Sequence, residues 1–293
     1  MSGKLIYKLV FLSLSVLVAI SCVPSKEVPS APRPARVALV LGAGASKGFA
    51  HIGVLKILEA NRIPIHMVVG TSVGSFVGSL YAYGFNAYQL QKISMAVEKG
   101  DIVDLKMPDN GFIRGERLES YVNHLVQNTP MEKLRLTFYA VAADLASGQE
   151  VVFGSGNTGA AVRASCSIPG IFQPVRIGDR LYVDGGVVSP VAVGAARRYG
   201  ADVVIAVDIS SFVESVPQGT IETLLQAVDI MYSRIGSNEI AGADILIRPK
   251  TRQIGSADFT KRHEAILEGE VAASEAMPRI QAIISRLRSE GRL

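Results

Sequence analysis

Apolar positions fall into short continuous runs separated by longer amphipathic stretches. Residues 37–41 (Val-Ala-Leu-Val-Leu) are an unbroken apolar run, and 65–69, 136–142 and 202–207 are mostly apolar, with His66, Thr137 and Asp202 as their polar members. Runs of this length without alternation predict strands buried on both faces, the habit of parallel sheets. Weaker strand signals lie at 150–153, 180–183 and 244–247. Between them, helical spacing predicts helices at 48–61, just after Ser72, near 191–199 and over 259–288, and an amphipathic stretch covers 117–126. Strands alternating with helices imply an α/β fold with a mainly parallel central sheet flanked by helices. No internal repeat is visible.

The chain has 293 residues, of which 48% are hydrophobic and 19% charged, enough for a substantial core. The formal charge of +4 falls to +2 without Lys4 and Lys8, and no long basic run exists, so nucleic acid is not an expected partner. Only two cysteines occur, Cys22 and Cys166. Cys166 reads as a small buried apolar residue.

Three glycine-bearing turns follow apolar runs. The first is Gly42-Ala43-Gly44-Ala45-Ser46-Lys47-Gly48. It lacks the Gly-Lys-Ser/Thr ending of a phosphate-binding P-loop, and no acidic residue ends the next strand as a dinucleotide site requires. Converging backbone N–H groups in such a loop suit an oxyanion. The second is Gly70-Thr71-Ser72-Val73-Gly74, a G-x-S-x-G elbow between strand and helix, where Ser72 is the candidate nucleophile. The third is Asp184-Gly185-Gly186, at the carboxyl end of a short strand, where catalytic groups of open α/β sheets collect. Ser72 needs a base. His51, His66, His124 and His263 do not follow strand ends; His51 and His66 read as structural, and Asp184 is the better candidate. No His/Cys/Asp cluster has metal-ligand spacing, and no cofactor is expected.

Together, residues 41–55, 70–74 and 184–186, with 164–172 and 138–153, resemble the patatin-like phospholipase family over roughly 36–209. The resemblance implies a patatin-like three-layer sandwich and a serine lipid acyl hydrolase of phospholipase A or lysophospholipase type. Its parts would be a Ser72–Asp184 dyad, an oxyanion loop over 42–48, an elbow flanked by Gly70 and Gly74, and the pair Gly185-Gly186. The substrate it implies is a phospholipid or lysophospholipid. Alternatives on the same dyad are a thioesterase or short-chain carboxylesterase; from another class, a non-catalytic lipid-binding lipoprotein. The family often has glycine where Ala43 and Ala45 stand and arginine at Lys47. Alanine disfavours positive φ, so weaker oxyanion stabilisation is an expectation here. Residues 85–88, 107–113 and 212–220 are expected at the mouth of an acyl channel.

Residues 1–22 read as a signal peptide: a basic start, about twelve mostly apolar residues, then small residues and Cys22. Ala19-Ile20-Ser21-Cys22 resembles a bacterial lipobox, which implies lipidation at Cys22 and a membrane anchor. Val23-Pro24 resembles lipoproteins of the outer membrane, implying a bacterial cell envelope location facing the periplasm. Residues 23–35, rich in Pro, Ser and Ala, are expected to tether the hydrolase domain, 36–293.

Overall fold

The computed structural model describes residues 32–105, 111–211 and 217–293. Cys22 and the tether up to residue 31 lie outside the described residues. Residues 34–293 form one compact unit.

Strand β1 (Val37–Leu41) lies inside the sheet, parallel to β2 (Met67–Thr71) on one side and β7 (Val203–Val207) on the other. β7 carries β8 (Ile245–Ile247), also parallel. β2 pairs in parallel with β3 (Thr137–Asp144), so the expected parallel core stands. Beyond it the sheet turns antiparallel: β3 takes β4 (Glu150–Phe153) and β6 (Arg180–Asp184), and β6 takes β5 (Val175–Ile177).

One register detail positions the site. Ala140 and Val141 pair with both β2 and β4, and Ala142 and Ala143 with both β4 and β6. A strand has two edges, so β2 and β6 must share one. They run in opposite directions along it and meet end to end, at Thr71 opposite Val141 and Asp184 opposite Ala142.

Helices cover both faces. α1 (Phe49–Ala60), α2 (Val73–Tyr83), α3 (Ala87–Ala96), the single turn α4 (Lys99–Ile102) and α5 (Glu116–Leu125) follow the first two strands. α6 (Thr158–Ser165), α7 (Val193–Arg198), α8 (Thr220–Glu239) and the long α9 (Arg262–Ser289) complete the set among the described residues. The alternation of β1 explains the layers. Val37, Leu39 and Leu41 join a core with Leu55 of α1, Leu80 of α2 and Ile280 of α9. Ala38 and Val40 face a smaller core with Val193, Ala195 and Ala196 of α7. The result is a three-layer α/β sandwich. No helix among the described residues is long and apolar enough to cross a membrane.

β2 begins two residues later than expected. His66 at its entry is exposed rather than in the core, and its Nδ1 accepts the Val37 N–H at 3.1 Å. β5, α3, α4, α6 and α8 escaped the sequence reading.

Candidate active site

Ser72 stands between β2 and α2 with φ 56° and ψ −127°, a strained backbone that turns its hydroxyl away from both elements. Gly74 permits this turn: a Cβ there would stand 2.0 Å from the Leu41 carbonyl oxygen. The elbow therefore packs directly on the first glycine loop. The Ser72 N–H donates to Ser165 Oγ at 2.9 Å, and Ser165 Oγ–H in turn donates to the Val141 carbonyl at 2.6 Å. The Ser72 carbonyl accepts from the N–H groups of Ser75 and Phe76 and from Ser75 Oγ. Gly70 is the last residue but one of β2, opposite Leu41 and Ala140.

Ser72 Oγ donates to Asp184 Oδ2 at 2.6 Å. The other oxygen, Oδ1, accepts the Gly186 N–H at 2.8 Å, and the Gly185 carbonyl accepts from Val188 and Ser189. Asp184 is fully buried, which pushes its carboxyl up to about 6, while its hydrogen bonds pull the other way. None of the four histidines bonds Ser72. His124 and His263 are exposed, whereas His51 is buried and its ring Nε2 lies 2.8 Å from the Gly42 carbonyl. Burial lowers the His51 imidazole to about 4, so it is neutral and donates from Nε2 to that carbonyl.

In the first loop, most N–H groups are committed to the fold. Gly42 donates to Val207 O, Ala43 to Pro190 O, Ser46 to Ser256 O and Lys47 to Gly44 O. The N–H groups of Gly44 and Ala45 make no hydrogen bond among the described residues. Ala45 corrects the expectation drawn from its side chain: it does adopt positive φ, 49°. Lys47 is a second correction. Its fully buried side chain turns into the protein, where Nζ pairs with Asp229 Oδ2 of α8 at 2.9 Å and donates to Ser211 O. Gly48 lies against the Val73 side chain, next to Ser72.

Ser72 and Ala45 line one cavity of about 290 Å³, whose walls are almost entirely apolar. Phe76, Val77 and Leu80 of α2 form one wall, and Leu90, Ile93 and Val97 another part. Of the segments expected at a channel mouth, only 107–113 contributes, through Ile113; 85–88 and 217–220 do not line the cavity, although Ile221 just beyond does, and 107–110 and 212–216 lie outside the described residues. Cys166 is also on the wall, half-buried, with Sγ 3.8 Å from Ser75 Oγ, and burial holds its thiol protonated. It is a wall residue rather than core filling. Three residues escaped the sequence reading, all on α8: Asp229, Tyr232 and Glu239. Glu239 accepts the Val191 N–H at 2.9 Å and the Ser189 hydroxyl, tying down the turn after Asp184.

The chain is similar in part to known proteins. The chain is 35% identical over 189 residues to lysophospholipase NTE1 of Coccidioides immitis, covering 62% of this chain and 12% of that protein. It is 30% identical over 269 residues to an uncharacterized NTE family protein of Mycobacterium tuberculosis, covering 82% and 46%. The chain thus spans about half or less of the length of these relatives. VipD from Legionella pneumophila has the same fold: TM-score 0.60 at 13% identity, over 86% of this chain and 67% of that one. The sequence model of patatin-like phospholipases matches residues 39–197, from β1 through the glycine loop, the Ser72 elbow and Asp184 to α7. A match over more than half the chain that takes in all three motifs makes this protein a member of the patatin-like phospholipase family.

Proposed function

We propose that the protein is a serine lipid acyl hydrolase acting on phospholipid or lysophospholipid esters. The observation that carries this reading is the 2.6 Å Ser72 Oγ–Asp184 Oδ2 hydrogen bond in the wall of an apolar cavity. The acyl chain lies along α2, with its carbonyl at Ser72. Ser72 Oγ attacks the carbonyl carbon while Asp184 Oδ2 takes the hydroxyl proton. The oxyanion sits against the N–H groups of Gly44 and Ala45, which have no partner among the described residues, and Ala45 lines the cavity with Ser72. Collapse breaks the ester C–O bond, and Asp184 returns its proton to the leaving alcohol. Water then attacks the acyl-serine, Asp184 takes a proton from it, and Ser72 leaves protonated with the fatty acid free.

A carboxyl raised to about 6 suits this double duty, since its affinity for a proton lies near working pH. Attachment through a lipidated Cys22 would keep the cavity close to lipid, in the bacterial cell envelope. The test is fatty-acid release from lysophosphatidylcholine and phosphatidylcholine micelles by the full chain. The reading expects release by wild type and none by Ser72→Ala. Equal release by both, or none by a folded wild type on any ester or lipid surface, contradicts it.

A further inference from the structure

Helix α8 lies beyond the family-matched region, yet its side chains reach the glycine loop, the turn after Asp184 and the cavity wall. Asp229 holds Lys47 of the first loop, Glu239 holds Ser189 and Val191, and Tyr232, one turn after Asp229, reaches the carboxylate side. The Tyr232 ring lies over Gly186: a Cβ on Gly186 would come within 2.3 Å of Tyr Cζ. Gly186 supplies the N–H that Asp184 Oδ1 accepts. The glycine is therefore required for the tyrosine to sit there.

Tyr232 is 2% exposed and its hydroxyl makes no hydrogen bond among the described residues. The ring carbon that bears this hydroxyl lies against Gly186, whose N–H donates to Asp184 Oδ1 at 2.8 Å, so the hydroxyl is on the carboxylate side of the site. Asp184 offers about four acceptor sites and uses two, for Ser72 and Gly186. A buried donor without an acceptor thus faces a buried carboxylate with acceptor sites to spare. Buried polar groups are almost always paired, and catalytic hydrogen bonds are often long in the unliganded state.

We propose that Tyr232 is a positioning residue for the reaction, its hydroxyl donating to Asp184 and holding the carboxylate toward Ser72. The inference rests on the Ser72–Asp184 reading above. The hydrogen bond favours the ionised carboxylate that must accept the Ser72 proton. The other groups facing Asp184 are the Ser72 hydroxyl from the elbow and the protonated Cys166 thiol after α6. Asp229, which also acts on Tyr232, is itself paired with Lys47.

The experiment is the pH profile of kcat/KM for p-nitrophenyl butyrate, using the full chain in detergent. Wild type, Tyr232→Phe, Tyr232→Leu and Ser72→Ala are compared, with Tm measured for each. Phenylalanine keeps the ring over Gly186 and removes one oxygen. Tyr232→Phe is expected to keep its Tm, to lose about tenfold in kcat with KM within about twofold, and to move the acid limb up by about 0.5–1 pH unit. Tyr232→Leu also loses the ring packing, so it should lower Tm as well and share the shifted limb. An acid limb unmoved in both, with kcat near wild type in Tyr232→Phe and Ser72→Ala inactive, overturns the role of Tyr232 and leaves the dyad intact. Wild-type turnover no greater than that of Ser72→Ala overturns the dyad, and this role with it.

Discussion

Ser72 and Asp184 are 112 residues apart in sequence and 2.6 Å apart at Oγ and Oδ2. Strands β2 and β6 bring them together by meeting head to head along one edge of β3. The antiparallel part of the sheet is therefore what delivers the carboxylate. A wholly parallel sheet would have pointed both strand ends the same way.

The acid limb of kcat/KM should have its midpoint near pH 6, the value to which burial raises Asp184. The base must be ionised to accept the Ser72 proton, so activity falls as pH drops through that value, about tenfold per unit. A midpoint near 4, the value of an ordinary carboxylate, would contradict a buried base.

The same shift predicts a stability cost. As pH rises from 3.8 to about 6 the unfolded chain loses the Asp184 proton before the folded one, so folding is progressively disfavoured, with the full penalty above that window. Asp184→Asn removes the penalty. It should abolish hydrolysis and stabilise the fold at pH 8 by on the order of 2–3 kcal/mol, with little change near pH 3.5. Thermal melts at both pH values check this; equal Tm changes at both would contradict it.

Lys47 and Asp229 form an ion pair with side chains 0% and 8% exposed. Removing one partner strands a buried charge, so Lys47→Met should destabilise by about 3–5 kcal/mol in urea unfolding. Lys47→Met with Asp229→Leu should recover part of that loss. Additive losses in the double variant would show that the two charges do not compensate each other.

Val77 of α2 is on the cavity wall. Val77→Phe should shorten the space for an acyl chain. Turnover of long-chain esters is expected to fall at least about tenfold against butyrate esters, read as a ratio of kcat/KM values. An unchanged ratio would place the chain elsewhere.

Much of the site is legible in sequence because its signals are local. The spacing Gly70-x-Ser72-x-Gly74, the glycine loop and Asp184-Gly185-Gly186 each follow an apolar run, and glycine has few reasons to stand in such places. What stays hidden depends on long-range contacts. Asp229, Tyr232 and Glu239 look like the ordinary polar and mixed positions of an amphipathic helix until α8 is packed on the site. Phe76, Val77 and Leu80 read as core, since a cavity wall and a core face have the same helical period. Ala45 misled because its side chain argues against positive φ, and packing around the loop overrides that preference. The antiparallel additions β4, β5 and β6 are short, half-buried strands with weak signals of their own.

The most direct test of the central claim is covalent labelling of the full chain by a fluorophosphonate, with the adduct mapped by mass spectrometry in wild type, Ser72→Ala and Asp184→Ala. The account predicts an adduct on Ser72, none in Ser72→Ala, and labelling slowed by a factor of about 10² or more in Asp184→Ala. An adduct on another residue, or labelling of Ser72 at an unchanged rate without Asp184, would contradict it.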